Sequence, residues 1–274
     1  MAAKLPSAPL AEVVFELRWA LQGDPNLPVQ LHSDPGYHVF ADVFARKVMS
    51  DGFPFQREKP GTDPHMVIGS IIRAQFMEAE DNPFPMFQIG PGVFASNDAT
   101  DYDWTKFKKR TLRGVAHLLG SYPKMSNFSF RPVHLELRYT NSFDPDLIGH
   151  RDILKFVNNN TSISIDVPNL VIGSKCESVK DGNITLEFPL RNLKDSVFAF
   201  QIVTGSIAGN ATILLISRVV SKSQELRIGQ SARFSSRAID RWLEDAHSIT
   251  SPFFRSIIDR KLMSKFRKRA AKKR

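Results

Sequence analysis

The sequence predicts an α+β fold of two related halves, each an antiparallel or mixed sheet with a packed helix, followed by a long C-terminal helix that ends in a basic arm. Two observations predict this fold: strand and helix patterns alternate along the chain, and a strand near the N-terminus recurs 120 residues later. The predicted units are residues 1–125, residues 126–259 with the closing helix, and the arm at residues 260–274. We expect the halves to pack as one body, because 42% of the 274 residues are hydrophobic.

The first half opens with a strand and a helix. Residues 13–19 alternate, with valine, phenylalanine, leucine and tryptophan on one face and valine, glutamate and arginine on the other. This period of two predicts a half-buried strand. Apolar residues then recur at helical spacing from Tyr37 to Val48, before Gly52 ends the pattern, and this predicts the first helix.

Two further strands and a second helix complete the first half. Residues 66–78 and 87–96 have strand patterns, and the turn residues at 81–83 between them predict a hairpin-like connection. Asp103 is of the residue type that caps helix N-termini, and the apolar stripe of residues 104–119 predicts the helix that follows it.

The opening strand has a second copy in the sequence. Residues 133–140 align with residues 13–20, and four of the eight positions are identical. Each copy precedes a turn with proline and aspartate and then a short helical stretch, which is residues 147–157 in the second copy. A half-length repeat is one explanation, and chance similarity between two alternating strands is the other.

The second half continues with a meander and a closing helix. The predicted strands are residues 162–172, 184–188, 197–207 and 212–220. The stripe of the closing helix runs from Ile239 to Ile257 and keeps its phase across Ser251-Pro252. Either the helix kinks there or a new helix begins with Ser251 as its N-cap.

The formal charge of +9 is concentrated at the C-terminus. Residues 260–274 contain nine basic side chains and no acidic one, and the remaining 28 basic side chains balance 28 acidic ones. The basic residues of this segment are Arg260, Lys261, Lys265, Arg267, Lys268, Arg269, Lys272, Lys273 and Arg274. Attraction to a polyanion therefore concerns the arm first and local patches of the body second.

Several classes of protein are excluded by composition. The single Cys176 cannot form an internal disulfide, and the seven histidines show no zinc spacing, so we predict no metal and no cofactor. Pro6, Pro9, Glu12 and Glu16 interrupt the N-terminal apolar residues that a secretory signal needs, and no window has the length of a membrane span. We therefore expect a cytoplasmic protein without a membrane partner.

Several strings resemble those of a known family. Residues 5–19 spell LPSAPLAEVVFELRW, and further matches lie at residues 87–94, at Tyr102 and Trp104, at residues 137–141, and around His247. The chain resembles a sporadically distributed bacterial family of uncharacterised proteins of about this length that open with an LPxAPLxEVVFELRW-like string. The patchy distribution of that family is similar to that of mobile defence or toxin–antitoxin genes. The basic extension is a departure from the family, so a role that rests on the arm is not implied by the resemblance.

Two Glu/Arg pairs are candidates for a polar cleft. Glu16 with Arg18, and Glu136 with Arg138, each place a carboxylate and a guanidinium on one face of a strand. If the strands pair, the arginines could bind phosphate and the carboxylates a divalent metal. The structural interpretation, cross-strand salt bridges on a solvated sheet face, is the one we favour.

Basic residues of the second helix and the arm are candidates for nucleic-acid binding. Such a run is usually a solvated helix face, but together with the arm it could form a track of phosphate contacts. The candidate residues are Lys106, Lys109, Arg110, Arg113, Lys265, Arg267, Lys268, Arg269, Lys272, Lys273 and Arg274. The alternatives for the arm are a solubilising or disordered tail and a contact with a protein partner or an anionic membrane.

No motif predicts a catalytic residue. Residues 90–92, Gly-Pro-Gly, lack the lysine and hydroxyl of a phosphate-binding loop. His117 and His247 lie in predicted helices without a serine or cysteine partner at a suitable spacing, so we interpret both as edge-of-core residues.

The function predicted from these observations is non-enzymatic. We expect a binding or regulatory protein of a bacterial defence or toxin–antitoxin type system, with a protein partner and with nucleic acid contacted through the basic arm. The alternative is a metal-dependent nucleotide or phosphoester enzyme that uses the Glu/Arg pairs on the two related strands. The alternative requires the four side chains to converge, whereas the binding function depends on residues 260–274.

Overall fold

The computed structural model describes residues 9–24, 26, 32–59, 71–99, 102–125, 128–167, 179, 181–207, 209–222 and 235–268. The strands are β1 (Leu10–Trp19), β2 (Phe55–Glu58), β3 (Ala74–Met77), β4 (Met86–Gly90), β5 (Val93–Asp98), β6 (Pro132–Phe143), β7 (Asn183–Pro189), β8 (Ser196–Ile207) and β9 (Asn210–Lys222). The helices are α1 (Tyr37–Ser50), α2 (Trp104–Ser121), α3 (Pro145–Ile148), α4 (Ile153–Asn160), α5 (Ser236–Ile257) and α6 (Arg260–Lys268).

These strands form one continuous antiparallel sheet in the order β2-β3-β4-β5-β1-β6-β9-β8-β7. The α+β class is confirmed, but the prediction of two halves with a sheet each is wrong. The two similar strands do not open separate sheets, because β1 and β6 pair with each other along their length. Their apolar residues share one face, so pairing them extends a single core across the middle of the sheet.

All of the larger helices pack on one face of this sheet. Phe15 of β1 lies 6.2 Å from Trp242 of α5 and 6.5 Å from Phe94 of β5, measured between ring centroids. Phe44 of α1 packs against the same Phe94 at 6.0 Å, and Phe253 of α5 packs against β8. We call the opposite side of the sheet the far face. It carries the alternate residues of each strand, including Glu16 and Arg18 of β1.

A buried carboxylate fixes the loop before α1. Asp34 is 2% exposed and accepts hydrogen bonds from Trp19 Nε1 at 2.9 Å and from the backbone N–H groups of Gly92 at 3.0 Å and Gly36 at 3.1 Å. The Tyr122 hydroxyl at the end of α2 donates at 2.5 Å to Asp34 Oδ1, the oxygen that also accepts from Gly36. Burial and this contact with Asp34 raise the pKa of the Tyr122 hydroxyl above its usual range. One side chain thereby joins β1, the β4–β5 turn, the loop and α2.

The predicted helix ends are partly confirmed. The Asp103 side chain accepts from Lys106 N and caps α2 as expected. The closing helix α5 continues through Pro252 to Ile257, so no new helix begins at Ser251. The predicted helical stretch at 147–157 is interrupted, because Gly149 adopts a left-handed conformation with φ of 85° between α3 and α4.

Three predicted strands differ from the observed ones. The predicted strand at 87–96 is two antiparallel strands, β4 and β5, joined by a turn at residues 91–92. Residues 162–167 are not in a strand, and the remainder of the predicted strand at 162–172 lies outside the described residues. Of the predicted strand at 66–78, only β3 is observed, and residues 66–70 are also outside the described part.

In the part of the chain that is described, no helix is both long and apolar enough to span a membrane.

Candidate functional site

The four residues of the predicted polar cleft come together at the centre of the far face. β1 and β6 pair with Glu16 directly opposite Glu136. Arg18 Nε donates to Glu16 Oε1 at 2.6 Å, and Arg138 Nη1 donates to Glu136 Oε1 at 3.1 Å. Each salt bridge therefore forms within one strand, between residues two positions apart, and not across the strands as the sequence suggested.

A histidine between the two carboxylates was missed by the sequence analysis. His134 lies opposite Arg18, and its Nε2 is 3.6 Å from Glu16 Oε1 and 3.6 Å from Glu136 Oε2. The signal was present in the sequence, because His134 is two residues before Glu136 and must share its face. We call these five residues, Glu16, Arg18, His134, Glu136 and Arg138, the far-face cluster.

Glu136 is the most buried member of the far-face cluster. Its side chain is only 9% exposed. Burial, the largest single influence, raises the pKa of Glu136, but His134, Arg138 and the neighbouring Arg218 together outweigh burial and hold the pKa below its usual value. Glu136 is therefore ionised at neutral pH, and the cations around it balance two facing carboxylates.

The far-face cluster favours the binding of an anion by its arginines over the binding of a metal by its carboxylates. The carboxylates that a metal would require are engaged by Arg18 and Arg138. Among the described residues, no group of three or more histidine, cysteine, aspartate or glutamate side chains is placed to hold a metal ion. The outer N–H groups of Arg18 and Arg138, whose side chains are 36% and 35% exposed, remain accessible from solvent.

Basic residues of α2 mostly bind acidic residues of neighbouring elements. Lys108 Nζ contacts Asp240 at 2.9 Å and Glu244 at 2.5 Å, which ties α2 to α5. Arg113 Nε lies 2.8 Å from Asp51 at the end of α1. Arg113, a candidate for phosphate binding, is therefore already paired with a carboxylate.

Arg110 forms the most buried ion pair of α2. Its guanidinium donates to Asp98 of β5, and the two side chains are 12% and 9% exposed. Lys106 and Lys109 are exposed and point away from the sheet. Of the candidate nucleic-acid-binding residues on α2, these two lysines are the ones directed to solvent without a described acidic partner.

The first part of the predicted basic arm is a helix packed on the core. Leu262 and Phe266 of α6 are each 1% exposed and Met263 is 9% exposed. The Phe266 ring lies 6.4 Å from that of Phe143 in β6 and 6.5 Å from that of Phe254 in α5. α6 is therefore a fixed element of the domain.

The opposite side of α6 is cationic. Arg260, Lys261 and Lys265 are exposed, and Lys265 Nζ donates to the backbone oxygen of Leu147 at 2.8 Å. Asp259 accepts from Leu262 N at 3.0 Å and so serves as the N-cap. Arg267 and Lys268 lie in the last turn of α6, and Arg269, Lys272, Lys273 and Arg274 lie outside the described residues.

A hydrogen-bonded chain of aromatic residues joins α2, β6 and α5. The Tyr102 and Tyr139 hydroxyls are 2.8 Å apart, and the Tyr139 hydroxyl lies 2.9 Å from His247 Nδ1. Trp104 stacks on the His247 ring with centroids 3.9 Å apart. Burial is the main cause that lowers the pKa of His247 to about 4, so the ring is neutral at pH 7 and Nδ1 can accept from Tyr139.

This chain is best explained as a structural link. Burial raises the pKa of both tyrosine hydroxyls above their usual range, so both are protonated and able to donate. The interpretation of His247 as an edge-of-core residue is consistent with its packing, but its tyrosine partners are distant in sequence and were not predicted. The second histidine of this kind, His117, lies with Nε2 2.8 Å from Asp51.

Comparison with protein-family models and with curated proteins finds no match. The resemblance noted in the sequence therefore stays a prediction.

Proposed function

We propose that this chain is a non-enzymatic binding or regulatory protein of a bacterial defence or toxin–antitoxin type system, and that it contacts nucleic acid through its basic C-terminal segment. The system type rests on the family resemblance alone. The nucleic-acid contact rests on one observation, the packing of α6, which holds a cationic surface in a fixed position on the domain.

The packing of α6 favours binding over a solubilising tail. A tail needs only net charge, whereas α6 buries Leu262, Met263 and Phe266 and leaves Arg260, Lys261 and Lys265 exposed. Residues 260–274 carry nine cations and no acidic side chain. Cations held on a folded surface lose less conformational freedom when they contact phosphates, and each contact releases counterions from the nucleic acid.

The test compares the full chain with a chain that ends at Lys268. This truncation removes the four basic residues beyond α6 and keeps the helix that packs on the core. Affinity for single-stranded and double-stranded DNA and RNA is measured by fluorescence anisotropy across a salt series. For duplex DNA, the slope of log K against log salt should become less steep by up to about 3 to 4, since each lost phosphate contact contributes about 0.9.

A matched pair of double variants tests the surface of α6 itself. Arg260→Gln with Lys261→Gln removes two exposed cations of α6, and Arg191→Gln with Lys194→Gln removes two exposed cations at the far end of the sheet. We expect a reduced salt slope from the first pair and an unchanged slope from the second. Equal effects of both pairs, or no binding by the full chain at moderate salt, would contradict the proposal.

The enzyme alternative is favoured by one observation, the convergence of Glu16, Arg18, Glu136 and Arg138 on one face. It predicts hydrolysis of nucleotides or phosphoesters that requires a divalent metal and is abolished by Glu136→Gln. Arg57→Gln on the edge strand β2 is a control that changes charge on the same sheet face. Absence of turnover with Mg²⁺ or Mn²⁺ across a panel of nucleoside triphosphates and phosphodiesters would refute it.

A further inference from the structure

The outer edge of β7 has backbone hydrogen-bonding groups that no other described residue uses. β7 ends the sheet, and no described strand pairs with its outer side. Thr204 N donates to Gly182 O at 3.1 Å and Leu190 N donates to Ser196 O at 2.9 Å. Because bonded pairs alternate along an antiparallel ladder, the even-numbered residues of β7 bond to β8 and its odd-numbered residues direct their N–H and C=O groups outward.

The outward positions are Asn183, Thr185, Glu187 and Pro189. All four are exposed. Proline has no N–H to offer, and an outward position at the end of an edge strand is where it is tolerated. The edge therefore presents three N–H donors and four C=O acceptors to an incoming strand.

The side chains of β7 leave an apolar strip beside these groups. Leu186 is 45% exposed and Phe188 is 47% exposed, on the same face of the sheet as the helices. Natural edge strands are commonly protected by lysines, by bulges or by being short, but β7 has seven residues and no basic side chain.

We propose that β7 pairs antiparallel with β7 of a second copy of this chain, with Thr185 on the two-fold axis. In this register Asn183 faces Glu187 of the other copy, and the outward N–H groups of both strands all find C=O partners. The two sheets then continue into each other across the dimer.

The self-complementary pattern of β7 is what selects a second copy as the partner. On the helix side, Leu186 lies opposite Ile184 of the other copy, so the apolar strips meet. On the far face, each Glu187 lies opposite an uncharged Asn183, so no two carboxylates face each other directly. On both faces of the strand, the side chains of β7 are therefore compatible with those of a second β7 that runs antiparallel to it.

Single cysteines test the register, in a background with Cys176→Ser. Thr185→Cys places two thiols on the axis with Cα atoms about 5.5 Å apart, within disulfide range. Asn183→Cys is the matched control, because its two copies are about 14 Å apart in this register. We expect mild oxidation to cross-link the first variant into a dimer and to leave the second uncross-linked. Equal cross-linking of both, or of neither, would overturn the proposed pairing.

A proline substitution tests whether the outward backbone groups hold the dimer. Thr185→Pro removes an outward N–H and no bond to β8, whereas Thr185→Val keeps the N–H and changes the side chain by a similar amount. Sedimentation equilibrium of nuclease-treated protein should show a dimer for the unmodified chain and for Thr185→Val, and at least tenfold weaker association for Thr185→Pro. Circular dichroism verifies that each variant is folded.

A monomer at high micromolar concentration, or a dimer that Thr185→Pro leaves unchanged, would refute the proposal. The chain would be such a monomer if the outer edge of β7 paired instead with a strand of a different protein or with residues 168–178 of the same chain. The measurement uses no nucleic acid, so its outcome is independent of the function proposed for α6.

Discussion

Phe266→Ala should destabilise the whole domain, although residue 266 belongs to a segment that composition alone assigns to a basic tail. The Phe266 ring is 1% exposed and packs between Phe143 and Phe254. Truncating a buried phenylalanine to alanine costs about 3 to 5 kcal/mol, which combines lost transfer free energy and the cavity left behind. The free energy of unfolding of a domain is about 5 to 15 kcal/mol, so the loss should be a large fraction of the total.

The assay is urea unfolding followed by circular dichroism and tryptophan fluorescence. Lys261→Ala, on the exposed side of the same helix, is the control and should change the free energy of unfolding by less than about 0.5 kcal/mol. A change below about 1 kcal/mol for Phe266→Ala would show that α6 does not contribute to the core, and the argument for a fixed cationic surface would fail with it. Truncation after Asp259 should also unfold the protein, so lost binding in that shorter chain would not identify phosphate contacts.

Three further outcomes follow from contacts elsewhere in the domain. Asp34→Ala leaves several buried donors without an acceptor and should lower the free energy of unfolding by about 3 to 5 kcal/mol in urea titrations. A loss under about 1 kcal/mol would contradict the role of the Asp34 carboxylate in joining these elements. Because burial lowers the pKa of His247 from 6.5 to about 4, the unfolded chain binds the proton first as pH falls. The stability that neutral His247 contributes above pH 6.5 should therefore be lost as pH falls towards 4. Over the same pH range, the free energy of unfolding of His247→Gln should fall by less than that of the unmodified chain. Arg110→Met should cost about 3 kcal/mol in thermal or urea unfolding by stranding its buried carboxylate partner, while the exposed Lys109→Met should cost less than about 0.5 kcal/mol.

Local sequence patterns predicted the strands and helices that depend mainly on residues adjacent in the chain. The alternation in residues 13–19 predicted β1, and Asp103 predicted the start of α2, because period and capping chemistry are properties of adjacent residues. The stripe of the closing helix predicted α5 to its end at Ile257. The neighbour of each strand is not a local property, so the same alternation was compatible with two sheets or with one.

The candidate site was predicted in part for the same reason. Glu16 and Glu136 were expected to share a cleft if their strands paired, and they do lie side by side. The direction of their salt bridges was wrong because antiparallel pairing sets the two carboxylates opposite each other, so each arginine binds the glutamate two residues away on its own strand. The acidic partners of the cations on α2 lie on β5, on α5 and at the end of α1, and the spacing of residues along the chain does not predict these pairs.

The central position of β1 has a consequence for synthesis on the ribosome. β1 is made first among the described strands, yet one of its two neighbours, β6, is made more than a hundred residues later. After residues 1–125 emerge, β1 can pair with β5 on one side while its other edge, flanked by Phe15 and Leu17, stays bare until β6 follows. The nascent half is therefore exposed to aggregation during translation, and a chaperone that holds this edge should raise the yield of folded protein.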